Sequence, residues 1–130
     1  MAEATGEFNV TNWDEQPYEE LDNGKLTRAE ITAELTGDVA GTGKVTWLMC
    51  YRADGTADYL GYLSVDVTVG GRRGGFVVST TGSFDGKVAS GPWAIVDGSG
   101  RGDLSGITGS GSFDSPHGGT ATYRLSYELA

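Results

Sequence analysis

The stretch Thr120-Ala121-Thr122-Tyr123-Arg124-Leu125-Ser126-Tyr127-Glu128-Leu129 alternates without a break. Ala121, Tyr123, Leu125, Tyr127 and Leu129 fall on one side, and Thr120, Thr122, Arg124, Ser126 and Glu128 on the other. Successive side chains of a strand point to opposite faces, whereas a helix gathers residues three and four apart. The stretch reads as a strand with one face buried and the other in water.

The same period runs back through the chain. Ala29, Ile31, Ala33 and Leu35 alternate with Arg28, Glu30, Thr32 and Glu34, which predicts a strand near 26–35. Val45, Trp47, Met49 and Tyr51 share a face of a strand at 44–52, and Asp54-Gly55 supplies a hairpin turn. Tyr59, Gly61, Leu63, Val65, Val67 and Val69 share a face at 57–69, before Gly70-Gly71. Phe76, Val78 and Phe84 follow, then Asp85-Gly86, then a strand at 87–96 with Trp93 and Ile95. The segment 97–106 reads as a loop with room for one helical turn around Asp103 to Ser105, and 107–113 as a further strand. At the start, Phe8 and Val10 share a face of a strand at 5–13, and 14–24 reads as a loop with Pro17 and an Asn23-Gly24 turn.

That makes about eight strands with short connections. The fold class expected is all-β, a single antiparallel up-and-down barrel filling one domain over residues 1–130. Closure would pair the strand around Phe8 and Val10 with the one around Tyr123 and Leu125. A sandwich of two sheets fits the same periodicity. Gly82-Ser83-Phe84-Asp85 recurs as Gly111-Ser112-Phe113-Asp114, and Gly6-Glu7-Phe8 echoes it. A glycine shortly before an inward aromatic is what a sharply coiled strand needs.

Composition narrows the function. The 18 acidic and 9 basic residues give a net charge of −9, which phosphate backbones and anionic membranes repel. The expectation is no nucleic-acid partner and no membrane partner. No apolar run is long enough for a spanning helix, and Met1 to Val10 lacks the pattern of a signal peptide. The lone Cys50 cannot form an internal disulfide, so a cytoplasmic location is expected.

Specific chemistry is harder to find. With one His and one Cys in separate segments, no metal site and no cofactor are expected. The acidic run Asp14, Glu15, Glu19, Glu20 and Asp22 lacks the spacing of a calcium loop and reads as a solvated loop. Cys50 alternates away from Trp47 and Tyr51, which leaves it without a base to activate it. His117 sits in a turn, where a role at a barrel mouth is the functional reading and simple exposure the bland one. Gly98-Ser99-Gly100-Arg101-Gly102-Asp103 lacks the Lys-Ser/Thr ending of a phosphate loop.

The strongest functional signal is the density of rings on the presumed inward faces: Trp47, Tyr51, Tyr59, Trp93, Tyr123 and Tyr127. Rings with a few hydroxyls can wall a pocket for an apolar ligand, and equally can fill a small barrel. Asn12, Thr80 and the tyrosine hydroxyls are the polar groups that could orient a ligand.

Several runs carry a resemblance. Thr11-Asn12-Trp13-Asp14-Glu15-Gln16-Pro17-Tyr18, Leu26-Thr27-Arg28-Ala29, Trp47-Leu48-Met49-Cys50-Tyr51-Arg52, Asp54-Gly55-Thr56-Ala57, Gly98-Ser99-Gly100 through Leu104-Ser105-Gly106, and Gly109-Ser110-Gly111-Ser112-Phe113 are similar to a bacterial family known only as domain of unknown function 3224. The resemblance covers nearly the whole chain. It implies a calycin-like barrel of the allene-oxide-cyclase type with an internal pocket, and among relatives on that barrel are cofactor-free enzymes that close rings in hydrophobic substrates. The family pattern often places an acidic or amide residue where this chain has Leu63, so acid-base roles do not carry over.

Two functions stay in play. The first is a barrel that binds an apolar or ring-bearing small molecule. The second is a cofactor-free cyclase or isomerase acting on a hydrophobic polyene, polyketide or epoxide by enforcing a folded substrate shape. An interaction module without a cavity, and a homo-oligomer, also stay open.

Overall fold

The computed structural model describes residues 2–116 and 119–129. Nine strands follow in order: β1 (Ala2–Leu21), β2 (Gly24–Gly37), β3 (Val39–Arg52), β4 (Ala57–Val69), β5 (Arg72–Phe84), β6 (Val88–Ile95), β7 (Arg101–Gly102), β8 (Thr108–Pro116) and β9 (Ala121–Glu128). No helix occurs among the described residues. Eight strands form a ring in which each neighbour is antiparallel, β1-β2-β3-β4-β5-β6-β8-β9 and back to β1. The two-residue β7 lies outside the ring against β5.

The closing pair is the expected one. Ala4 stands opposite Leu125, Gly6 opposite Tyr123 and Phe8 opposite Ala121. A sandwich would leave these strands as edges, so the periodicity resolves to a barrel. The β4–β5 connection shows how the sequence permits it. Gly70 and Gly71 both have positive φ, 57° and 79°, in a two-residue turn whose hand matches the twist of the strands it joins.

One register feature changes the reading of the N-terminal segment. β1 does not stop at Trp13. It runs to Leu21 and pairs with β2 from Gly6 to Leu21, so 14–21 is strand and not loop, and the turn is Asp22-Asn23. Its pairing with β9 ends at Phe8. Beyond that point β1 carries partners on one side only, which is why Pro17, with no N–H to offer, is tolerated in it. The segment 97–106, read as a loop with room for one helical turn, contains the short β7 followed by tight turns through Asp103 to Ser105, with Leu104 N–H donating to the Arg101 carbonyl, Ser105 N–H to the Gly102 carbonyl and Ile107 N–H to the Leu104 carbonyl. These turns bury Leu104 and Ile107 at the end of the barrel where β4 turns into β5.

The interior is the alternating face of every strand. Ile31, Leu63, Val65, Val67, Phe76, Val78 and Leu125 are almost wholly excluded from water. Each such side chain stabilises the fold by roughly 1.5–3 kcal/mol relative to exposure. The large rings follow a further rule, visible only in the register. Trp47 stands opposite Gly61, Tyr59 opposite Gly82, Trp93 opposite Gly111 and Tyr123 opposite Gly6. A glycine across the ladder lets the neighbouring strand pass close, and the ring covers the backbone that glycine leaves bare. Gly82, Gly111 and Gly6 open the repeated motif, so that repeat marks where rings seat.

Candidate functional site

The site grows from a shift of register. Phe8 points into the barrel, so even-numbered positions of β1 are the expected inward set, Asn12 among them. A bulge between Val10 and Asn12 inserts one extra residue and reverses the parity. Trp13 now stands opposite buried Ile31 and Glu15 opposite buried Ala29, while Asn12 stands opposite Thr32 and is exposed. Asn12 therefore lies off the inward face. Trp13 and Glu15, which the sequence reading left unassigned and in a solvated loop, face the open end of the barrel.

At that end Glu15 organises a polar cluster. Its Oε2 accepts from Thr27 Oγ1 at 2.6 Å and from the Tyr51 hydroxyl at 2.8 Å, and its Oε1 accepts from Trp13 Nε1 at 3.0 Å. Burial by itself would raise the Glu15 pKa. The donors Thr27, Tyr51 and Trp13, with the nearby Lys25 charge, outweigh it and hold the carboxyl below its ordinary range. Tyr51 is pushed well above the usual phenol range, by burial first and then by the Glu15 carboxylate. Lys25 lies across the ladder from Tyr51, and its ammonium stands 5.2 Å from the Tyr51 ring centroid.

Beside this cluster opens a hollow of about 410 Å³ walled by Trp13, Trp47, Tyr51, Tyr59, Phe84 and Pro116. Trp47 packs on Tyr59 at 5.0 Å between centroids and on Trp13 at 6.0 Å. The Tyr59 hydroxyl is buried, with no hydrogen-bond partner among the described residues. Burial, with Asp114 in the background, pushes its pKa to about 12, so it stays a donor at neutral pH.

The sequence-derived candidates divide by place. Trp47, Tyr51 and Tyr59 meet at the mouth. Trp93 lies deeper, stacked face to face on Phe113 at 5.6 Å and on Tyr123 at 5.9 Å, with Phe8 edge-on. Thr80 is buried and accepts from Trp47 Nε1 at 3.4 Å, which fixes the indole rather than a ligand. The Tyr123 hydroxyl accepts from Val39 N–H at 2.9 Å and lies 2.8 Å from the Thr36 carbonyl, tying β9 to the β2–β3 corner. Tyr127 lines a separate hollow at the opposite end, with Val69, Arg72 and Leu129. Cys50 is exposed. His117 lies outside the described residues. Among the described residues no group of three or more His, Cys, Asp or Glu side chains is placed to hold a metal ion, and no helix is long and apolar enough to cross a membrane.

Three of these tyrosines give an alkaline signature. Tyr51, Tyr59 and Tyr123 all have raised pKa values, with burial the largest cause in each. A phenol whose folded pKa lies above its unfolded value keeps its full contribution below pH about 10 and loses it as pH rises through the folded value. Stability should fall as pH rises from about 10 toward 12, and phenolate absorbance at pH about 10 should be smaller in the folded than in the guanidinium-unfolded protein. Equal absorbance in both states would contradict the burial of these hydroxyls.

A family model described as "Protein of unknown function (DUF3224)" matches residues 4–127. A crystal structure of a protein with unknown function from this family, from Shewanella oneidensis MR-1, superposes with a TM-score of 0.83 at 25% identity, covering 100% of this chain and 98% of that one. No curated protein matches the chain.

Proposed function

The chain belongs to the DUF3224 family, whose description assigns no activity, and from the geometry of its barrel we propose that it is a binding module for a small apolar or ring-bearing molecule. The observation that carries this reading is the ring-walled hollow at the mouth, with Trp47 and Tyr59 as its floor and Trp13, Tyr51 and Phe84 as its sides. Ligand pockets are mostly apolar with a few placed polar groups, and aromatic walls match a flat or chain-like apolar body. The ligand sits at the mouth and not along the barrel axis, because Trp93, Phe113 and Tyr123 stack through the middle.

The rival reading is a cofactor-free cyclase or isomerase on an allene-oxide-cyclase-like barrel. Its supporting observation is the Tyr51–Glu15 hydrogen bond, a phenol and a carboxylate facing the same end. Their pKa values move apart, the carboxyl down and the phenol up. Efficient general acids and bases sit near the working pH, so this pair is better suited to holding a ligand than to moving its protons.

Titration with hydrophobic polyenes, polyketides and fatty acids should quench tryptophan fluorescence, since Trp13 and Trp47 wall the hollow. Trp13→Ala should weaken binding about tenfold. Trp13 is 47% exposed, so its loss should leave the melting temperature within a few degrees. No quenching across the panel would sink the proposal, and product formation from a polyene or epoxide would favour the enzyme.

A further inference from the structure

We infer that the mouth selects ligands that carry a cationic amine on their apolar body, the ammonium resting between the Glu15 carboxylate and the ring of Tyr51. This rests on the mouth being the binding site, and adds the charge of its ligand.

Three observations lead there. Glu15 is a half-buried carboxylate fixed by three donors, Thr27, Tyr51 and Trp13, so its negative charge is pre-oriented rather than left on a flexible arm. An ionised carboxyl has about four acceptor positions, and three donors leave room for one more. The rings beside it are the kind that attract cations: an ammonium within about 6 Å of a ring centroid is drawn to the negative face of the ring. The chain already shows this contact with its own cation. Lys25 holds its ammonium 5.2 Å from the Tyr51 centroid, and its charge stabilises the ionised Glu15. Lys25 lies opposite Tyr51 at the free end of the β1–β2 hairpin and is exposed, so a ligand ammonium can replace it without unfolding anything. The net charge of −9 adds long-range attraction for cations and repulsion for fatty-acid carboxylates.

The test uses the intact chain and three probes of one chain length at neutral pH: decylammonium, decanol and decanoate, each below its micelle concentration. Binding is read by tryptophan fluorescence and checked by calorimetry. The ammonium should bind about tenfold more tightly than the alcohol, and the carboxylate more weakly than both. Glu15→Gln keeps the size and the accepting oxygen for Thr27 and Tyr51, so the variant should fold. It should bring the ammonium to within about threefold of the alcohol measured on the same variant. Lys25→Met should raise ammonium affinity by removing the competing cation. Equal binding of ammonium and alcohol in the parent protein would overturn the inference and leave the mouth reading intact. Preference for decanoate would overturn it too and make Lys25 the anchor. An ammonium preference that survives Glu15→Gln would also overturn it, reducing the effect to net charge. Failure of all three probes to bind, with no effect of Trp13→Ala, would remove the mouth reading itself.

Discussion

Trp93→Ala should destabilise the fold by about 3–5 kcal/mol, the range of buried aromatic truncations. Trp93 is 4% exposed and lies between Phe113 and Tyr123, its plane within 10° of both, while Phe8 meets it edge-on. Among the described residues its indole N–H has no hydrogen-bond partner, so the loss is counted as packing. The neighbours are anchored on three strands, β8, β9 and β1, and cannot all move into the space. For a chain of this length the melting temperature should fall by roughly 10–20 °C. Urea unfolding followed by circular dichroism measures it, and a change under about 1 kcal/mol would show that the stack does not hold the barrel's middle.

Gly61→Ala is the second large effect and tests the ring-on-glycine rule. A methyl at Gly61 would overlap the Thr46 carbonyl oxygen on β3 and stand 2.9 Å from Trp47 Cδ1. Either β3 and β4 must separate or Trp47 must leave its position. Overpacking of this kind costs about 3 kcal/mol when backbone has to shift. Ser64→Ala, on the exposed face of the same strand, should change stability by less than about 0.5 kcal/mol. The expected result is a large drop for Gly61→Ala, together with a shifted tryptophan emission because Trp47 is displaced. A Gly61→Ala protein as stable as the Ser64→Ala control would refute the rule.

Trp47 stands where two readings of the sequence meet. The ring density left a walled pocket and a filled barrel equally open. Both are present at different depths: Trp93, Phe113 and Tyr123 fill the middle, and Trp47 and Tyr59 are at once the top of that filling and the floor of the mouth. Truncating Trp47 would therefore disturb stability and binding together, which is why Trp13 at the rim is the cleaner probe.

The alternation in 120–129, 26–35, 44–52 and 57–69 determined by itself that the chain is all-β, which residues of those strands face inward, and where the Gly70-Gly71 and Asp54-Gly55 turns fall. Period-2 patterning is a local property, and a strand that buries one face must display it. Tertiary structure alone decided the rest. The bulge at Thr11 reverses the parity of β1, and no local pattern announces it, because both settings place a polar and an apolar residue on each face. It moved Asn12 out and brought Trp13 and Glu15 in. The length of β1 was hidden for a related reason: its second half has one neighbour and an exposed edge, so acidic residues and Pro17 are tolerated there and mimic a loop. The meeting of Glu15 with Thr27, Tyr51 and Lys25 joins three strands and depends on register across two ladders. The pairing of each large ring with a glycine is written in the sequence as separate residues 14 to 117 positions apart, and only the closed register brings them opposite one another.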